Sequence, residues 1–252
     1  MPDIAWNKAT WDGTYDWTRQ GEEWSDAWGG SAALWYGAIL PRIAAFLPAR
    51  AILEIGPGFG RWTHFLLAQC QTYRGVDLAE KCAAACRQRF AGRAGAAFFA
   101  NDGKSLSVLG PEKFDFVFSF ESLVHAGLDA LAGYLPDIVT RLAPGGVAFL
   151  HHSNLAAYAG AQFGHRAPDV SADVVAGMVR AHGGRMLIQE RVHTGGGLMP
   201  DCYTLFCRDG DYADVPTRDV TEWNVTPYAL HCAQNAYRHY LAVSPRRDRP
   251  PG

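Results

Sequence analysis

Ile52-Leu53-Glu54-Ile55-Gly56-Pro57-Gly58-Phe59-Gly60 runs an apolar strand straight into a glycine turn, and the fold is read outward from it. Arg50 to Ile55 has the residue types of a short strand buried on both faces. Gly56, Gly58 and Gly60 stop it, and Arg61 to Cys70 predicts a helix. The same alternation then repeats. Tyr73 to Asp77 predicts a second strand, Ala79 to Phe90 a helix, Ala96 to Ala100 a third strand and Phe114 to Phe120 a fourth. A helix from Leu128 to Leu142 and a turn at Ala143-Pro144-Gly145-Gly146 precede a fifth strand, Val147 to Leu150. Ser171 caps a helix reaching His182, and Arg185 to Val192 and Cys202 to Cys207 complete the set as strands. Strands alternating with helices imply an α/β fold with a mostly parallel sheet covered on both faces.

The 252 residues, 48% hydrophobic and 19% charged, suit one large α/β domain with additions. A net charge of −2 argues against a nucleic-acid footprint. No apolar run reaches the ~18–20 residues of a membrane span, and Met1-Pro2-Asp3-Ile4-Ala5-Trp6 does not read as a signal peptide. Six cysteines without a Cys-x-x-Cys pair read as reduced core residues, so the expected compartment is the cytoplasm. Six of the eight tryptophans, Trp6, Trp11, Trp17, Trp24, Trp28 and Trp35, fall in the first 36 residues. That stretch is either an arm whose indoles fill gaps or an aromatic lid over a cleft, with Trp24 and Trp28 expected to cover it. The expected organisation is an arm over residues 1–36, a domain over 37–210 and a C-terminal extension over 211–252 ending in a solvated tail.

Three glycines between a strand and a helix leave free amides and a helix dipole facing a ligand. A dinucleotide turn would need its third glycine at position 61, where this chain has Arg61. Glu54 at the end of the first strand suits a cationic ligand group. Asp77 ends the second strand, where a carboxylate accepts bonds from two ribose hydroxyls. Asn101-Asp102-Gly103 ends the third, where an acid can accept from an exocyclic amine. Each acid alone reads equally as a loop residue or cap; three at successive strand ends beside a glycine loop point to one ligand.

Ile52 to Gly60, Gly75-Val76-Asp77, Asn101-Asp102-Gly103, Phe114 to Phe118 and Leu142 to Gly146 resemble, in this order, the motifs of class I S-adenosylmethionine-dependent methyltransferases. The resemblance covers roughly residues 50–210. It implies a Rossmann-like seven-stranded sheet of order 3-2-1-4-5-7-6 with the last strand antiparallel. It also implies S-adenosylmethionine as methyl donor and S-adenosylhomocysteine as product. Carried over by position, Glu54, Gly56, Gly58 and Gly60 hold the methionine part, Asp77 the ribose, and Asp102 the adenine with Asn101 or Gly103 beside it. The resemblance also implies that the backbone near Phe120 and Glu121 faces the ligand, and the aromatic arm is expected to cover it with Trp28.

The methyl acceptor is not written in the motifs. Glu121-Ser122-Leu123-Val124-His125 follows strand four and His151-His152-Ser153-Asn154 follows strand five, so His125, His151 and His152 are the candidate general bases for a hydroxyl acceptor. His151 and His152 point to opposite faces if the strand persists through them, and their register is not readable from an unbroken apolar run. Residues 155–170, with Tyr158, Gln162, His165 and Arg166, are expected to lie over the pocket, and Gly195 to Pro200 hinges its mouth or is simply a hairpin. A metal held by histidines with Glu121 or Asp201 has no supporting ligand spacing. The chain further resembles bacterial small-molecule methyltransferases, including those acting on sugar hydroxyls. The expected partner is therefore a small molecule, not nucleic acid or membrane, with a homodimer left open. N-methylation of a small amine and a non-catalytic cofactor-binding module are the rival readings.

Overall fold

A computed structural model describes residues 2–193, 198–213 and 215–220. Its strands are β1 (Ala49–Ile55), β2 (Cys70–Asp77), β3 (Ala96–Ala100), β4 (Phe114–Ser119), β5 (Leu142–Ser153), β6 (Arg185–Val192), β7 (Asp201–Cys207) and β8 (Arg218–Val220). They form one sheet in the order β3-β2-β1-β4-β5-β7-β6-β8. β7 runs antiparallel to both β5 and β6, and the other pairings are parallel. The expected seven-strand order is present, with β8 added at the edge. Arg218 ties that strand on, its Nε donating to Glu190 Oε1 at 2.7 Å. β8 lies within the expected C-terminal extension; the rest of that extension, from residue 221, and residues 195–197 of the glycine stretch lie outside the described residues.

The helices are α1 (Ile4–Lys8), α2 (Ser31–Leu34), α3 (Leu40–Ile43), α4 (Thr63–Leu67), α5 (Glu80–Arg89), α6 (Leu128–Arg141) and α7 (Ala172–Ala181). α4 is shorter than the expected 61–70 helix, because Arg61 and Trp62 stay in the turn and β2 begins at Cys70, opposite Ala49. Ser171 caps α7, its hydroxyl accepting from the Val174 N–H at 3.3 Å. Among the described residues no helix is long and apolar enough to cross a membrane.

Alternation along the strands sorts the core into two layers. Ile52, Phe116, Phe118 and Phe149 face Leu34, Trp35, Ile39 and Ile43 on one side. Leu53, Val117, Ala148 and Leu150 face α6 and α7 through Leu131, Leu135, Ile138, Val175 and Val179 on the other. β5 runs on to Ser153, well past the expected Leu150, and pairs His151 with Tyr203 and His152 with Cys202. By parity His151 therefore follows Phe149 and His152 follows Leu150 to the opposite layer.

His152 is 1% exposed; its Nδ1 donates to the Ser153 carbonyl at 2.8 Å and its Nε2 accepts from the Thr204 hydroxyl at 2.7 Å. Burial lowers its pKa to about 4, against roughly 6.5 in the unfolded chain. The unfolded state therefore binds the proton first. Stability from this neutral imidazole is complete above about pH 6.5 and falls as pH drops toward 4, by about 1.4 kcal/mol per unit. His152→Gln is expected to lower the melting temperature near neutral pH and to lessen the loss between pH 6.5 and 4.5. Equal acid sensitivity in both proteins, measured by thermal denaturation, would contradict this.

Candidate active site

In an open α/β sheet the cleft forms at the carboxyl ends of the strands, where the strand order reverses. Here that point lies between β1 and β4. Gly56, Gly58 and Gly60 all have positive φ (72°, 56° and 87°). A Cβ on Gly56 would lie 1.7 Å from Ser122 Oγ, and one on Gly58 would lie 3.0 Å from the Trp17 ring. Bare backbone thus lets the loop after β4 and the N-terminal arm close on the same turn. At Gly60 a Cβ would meet the Phe90 ring at 2.5 Å. That third glycine packs the turn against the end of α5 rather than lining the cleft, which corrects its expected role.

The cleft has two chambers. One is bounded by Leu78, Gly103, Leu123 and Tyr134 beneath Ile4 and Asn7 of α1. The other is bounded by Pro57, Gly58, Arg61 and Glu121 beneath Trp11, Trp17 and Trp24. Gly56, Asp77, Ser122 and Trp11 line both. Asp77 stands at the waist: Oδ2 accepts from the Gly58 N–H at 3.0 Å and Oδ1 from the Ala79 N–H at 2.9 Å. Burial raises its pKa to about 6, partly offset by those two amides. Each carboxylate oxygen keeps a second lone pair for a ligand hydroxyl.

The roof is a network of rings. Trp17 stacks on Phe59 with centroids 4.7 Å apart and planes 1° apart. Tyr15 sits against Trp11 at 5.0 Å and against Trp17 at 4.7 Å. The Trp17 indole N–H donates to the Trp11 carbonyl at 2.9 Å, and the Trp11 indole N–H to Asn7 Oδ1 at 2.9 Å. Asn7 in turn donates to the His125 carbonyl at 2.8 Å. Trp24 lines the cleft as expected, but Trp28 does not; it packs against the core beside α2.

Several other expected ligands also turn elsewhere. The Glu54 carboxylate, 1% exposed, accepts from the Tyr73 hydroxyl and from the Thr63 hydroxyl at 2.8 Å, and burial raises its pKa to about 7. It supports the turn from within the core. Asn101 donates to the Ser105 carbonyl at 2.7 Å and to the Tyr134 hydroxyl at 2.8 Å, while Asp102 accepts from the Lys104 and Ser105 amides at 3.0 and 2.7 Å. These two side chains shape the loop, and only Gly103 of the three borders the cleft.

Of the three histidines, His125 alone lines the cleft. Its Nδ1 lies 2.8 Å from the His165 carbonyl, and Trp11 lies 5.1 Å from its ring. A carbonyl only accepts, so Nδ1 carries the proton and Nε2 a lone pair. Burial, with Arg166 and the neighbouring histidines, lowers its pKa to about 4. His151 stands behind Phe120 and Glu121: the ring centroid of Phe120 is 4.7 Å away, and Nδ1 accepts from the Glu121 N–H at 3.2 Å. Its Nε2 is 3.5 Å from Asp201 Oδ1. Arg166 grips the same carboxylate twice, at 2.5 and 2.8 Å, and against the effect of burial His151 and Arg166 together hold Asp201 well below the usual carboxylate range. Residues 155–170 are pinned beside the cleft by that pair and by the His125–His165 bond. Among the described residues no three His, Cys, Asp or Glu side chains come together as a metal-holding group. Arg61, Trp11, Trp17 and Ser122 are cleft residues that sequence reasoning did not single out; Arg61 alone had a local signal, following directly on Gly60.

Residues 52–146 match a family described as a methyltransferase domain. The chain is similar in fold to the CcbJ methyltransferase from Streptomyces caelestis, at 17% identity over 70% of this chain and 93% of that one, TM-score 0.54. It is similar to an S-adenosylmethionine-dependent methyltransferase from Clostridium acetobutylicum, at 14% identity over 78% and 96%, TM-score 0.57. It also resembles N-methyltransferase NodS from Bradyrhizobium japonicum bound to S-adenosyl-L-homocysteine, at 16% identity over 81% and 95%, TM-score 0.54. No curated protein matches the sequence. Residues 52–146 thus carry a methyltransferase domain, on the strand order expected of the class I S-adenosylmethionine-dependent methyltransferases.

An ionised Asp77 is expected to bind ribose best, so affinity for S-adenosylhomocysteine should be full above about pH 6 and fall as pH drops through it. Asp77→Asn should weaken binding roughly ten- to hundredfold and flatten that pH dependence. Calorimetry across pH 5 to 8 checks both; unchanged affinity in the variant would contradict the assignment.

Proposed function

We propose that the chain methylates a hydroxyl group of a small molecule, with His125 as the general base. The observation that carries this is the His125 tautomer: a neutral imidazole in the cleft, its Nδ1–H held by the His165 carbonyl and its Nε2 lone pair unspent. Methyl transfer from a sulfonium needs no further activation of the donor, so the protein's task is alignment and exclusion of water. The acceptor oxygen attacks the methyl carbon in line. The carbon–sulfur bond breaks, its electron pair stays on sulfur, and the hydroxyl proton passes to His125 Nε2 and then to solvent. S-adenosylhomocysteine is left in the cleft.

In this reading Asp77 takes the ribose, Gly103 borders the adenine, and Gly56 and Gly58 give their backbone to the methionine part. The arm, from Ile4 to Trp24, is the lid over both. A sugar or another hydroxylated metabolite is the acceptor class favoured by a second groove. There Trp6, Tyr158 and Phe163 line the groove beside Gln162 and Arg166, and Arg166 also borders the donor cleft. A net charge of −2 suits a cytoplasmic enzyme acting on such a molecule rather than on nucleic acid. The indole faces of Trp11, Trp17 and Trp24 support the rival amine acceptor, since they suit a cation.

His125→Gln separates the two. With a hydroxyl acceptor, turnover is expected to fall by about 10²–10⁴ while S-adenosylhomocysteine affinity and melting temperature stay near those of the parent. With S-adenosylmethionine saturating, so that Asp77 does not limit the rate, the acid limb of the wild-type kcat profile should lie well below pH 6.5, since the base form exists above the lowered pKa of about 4. Near-normal turnover in the variant would favour the amine.

A further inference from the structure

The second groove is rich in donors and has no acid. Among the described residues that line it there is no Asp or Glu, while Arg166, Gln162 and Tyr158 bring N–H and O–H groups. The Tyr158 hydroxyl accepts from the Met199 N–H at 3.2 Å, which leaves its own proton to donate. Arg166 is held in place from behind. Its Nε and Nη2 donate to the two oxygens of Asp201 at 2.5 and 2.8 Å, and its Cζ lies 4.8 Å from the Phe163 ring centroid. A guanidinium carries five N–H donors in a rigid fork. Asp201 takes one side of that fork. The end formed by Nη1 and Nη2 keeps an N–H on each nitrogen, spaced for a second carboxylate. Nη1 stands at the groove wall, where a Cβ on Gly164 would lie 3.4 Å from it. Asp201 offsets the guanidinium charge, but it is 0% exposed and borders neither the groove nor the cleft, so a ligand meets the donor edge and not the acid.

The groove and His125 are joined through the chain. His165, whose carbonyl holds His125 Nδ1, directly precedes Arg166, and Arg166 borders both the groove and the cleft. A group held on the free end of Arg166 therefore lies only a few atoms from a hydroxyl presented to His125. We infer that the methyl acceptor is a hydroxylated carboxylic acid, its carboxylate held by the free end of Arg166 and one of its hydroxyls presented to His125. The inference rests on the hydroxyl acceptor proposed above and narrows it to sugar acids and hydroxyaryl acids. The apolar lining by Trp6 and Phe163 suits a ring that bears both groups. The Asp201 ion pair then does more than anchor its segment, since a fork already held in one orientation loses little freedom when the acid binds.

The test uses the full chain saturated with S-adenosylhomocysteine and two matched pairs of probes, 3-hydroxybenzoate against 3-hydroxybenzamide and glucuronate against glucuronamide. By calorimetry, the acid of at least one pair is expected to bind roughly ten- to hundredfold more tightly than its amide. Arg166→Lys keeps a cation on Asp201 without the fork, and should remove most of that preference while leaving the amide within about twofold of the wild type. Gln162 is exposed and stands apart from the ion pair. Gln162→Glu, which sets a like charge beside the acid, should weaken the acid and spare the amide with the melting temperature unchanged. Equal affinity of acid and amide in both pairs, or a preference that survives both substitutions, would overturn the inference. Mass spectrometry of the same probes, and of 3-hydroxybenzylamine, after incubation with S-adenosylmethionine tests the hydroxyl reading separately. An O-methylated amide beside equal affinities leaves that reading standing and this inference overturned. Methyl transfer to the nitrogen of 3-hydroxybenzylamine, with none to any hydroxyl, overturns both.

Discussion

The cleft depends on one steric condition: a turn between β1 and α4 without side chains on its exposed face. Ser122 and Trp17 both occupy space that a Cβ on Gly56 or Gly58 would need. Filling either position would push apart the three elements that define the pocket, namely the turn, the loop after β4 and the arm. The helix dipole and free amides of such a turn are common to many nucleotide-binding folds. In this chain the arm rests directly on the turn, through the stacked pair Trp17 and Phe59.

Burial, more than charge pairing, sets the protonation states around the cleft. Asp77 and Glu54 are pushed upward and His125 downward, each chiefly by loss of water. Asp201 is the exception, held low by His151 and Arg166 despite its burial. Its ion pair anchors residues 155–170, whose His165 carbonyl fixes the His125 tautomer. A neutral His125 in this setting is a weaker base than a solvated histidine. It is also one that never needs to lose a proton before accepting one.

The alternation of strands and helices was legible because parallel strands read as apolar runs and glycines punctuate them. The carboxyl-end acids were legible as a set, and Asp77 stands where its strand end suggested. What could not be read was direction. Glu54 and Asp102 sit at the expected strand ends, yet their carboxylates turn to Thr63 and Tyr73, and to the amides after Asp102. His151 and His152 differ only by parity along β5, which the apolar run Val147 to Leu150 conceals. The arm has no regular period, so nothing local told Trp11 and Trp17, which reach the cleft, from Trp28, which joins the core. Arg61 was noted only as a missing glycine.

The structure of the chain bound to S-adenosylhomocysteine tests the central claim most directly. The account expects the ribose hydroxyls within hydrogen-bonding distance of Asp77, the adenine beside Gly103 beneath α1, and the sulfur in the chamber that His125 lines. A ligand seated outside the arm, or one that leaves Asp77 without a ribose contact, would contradict it.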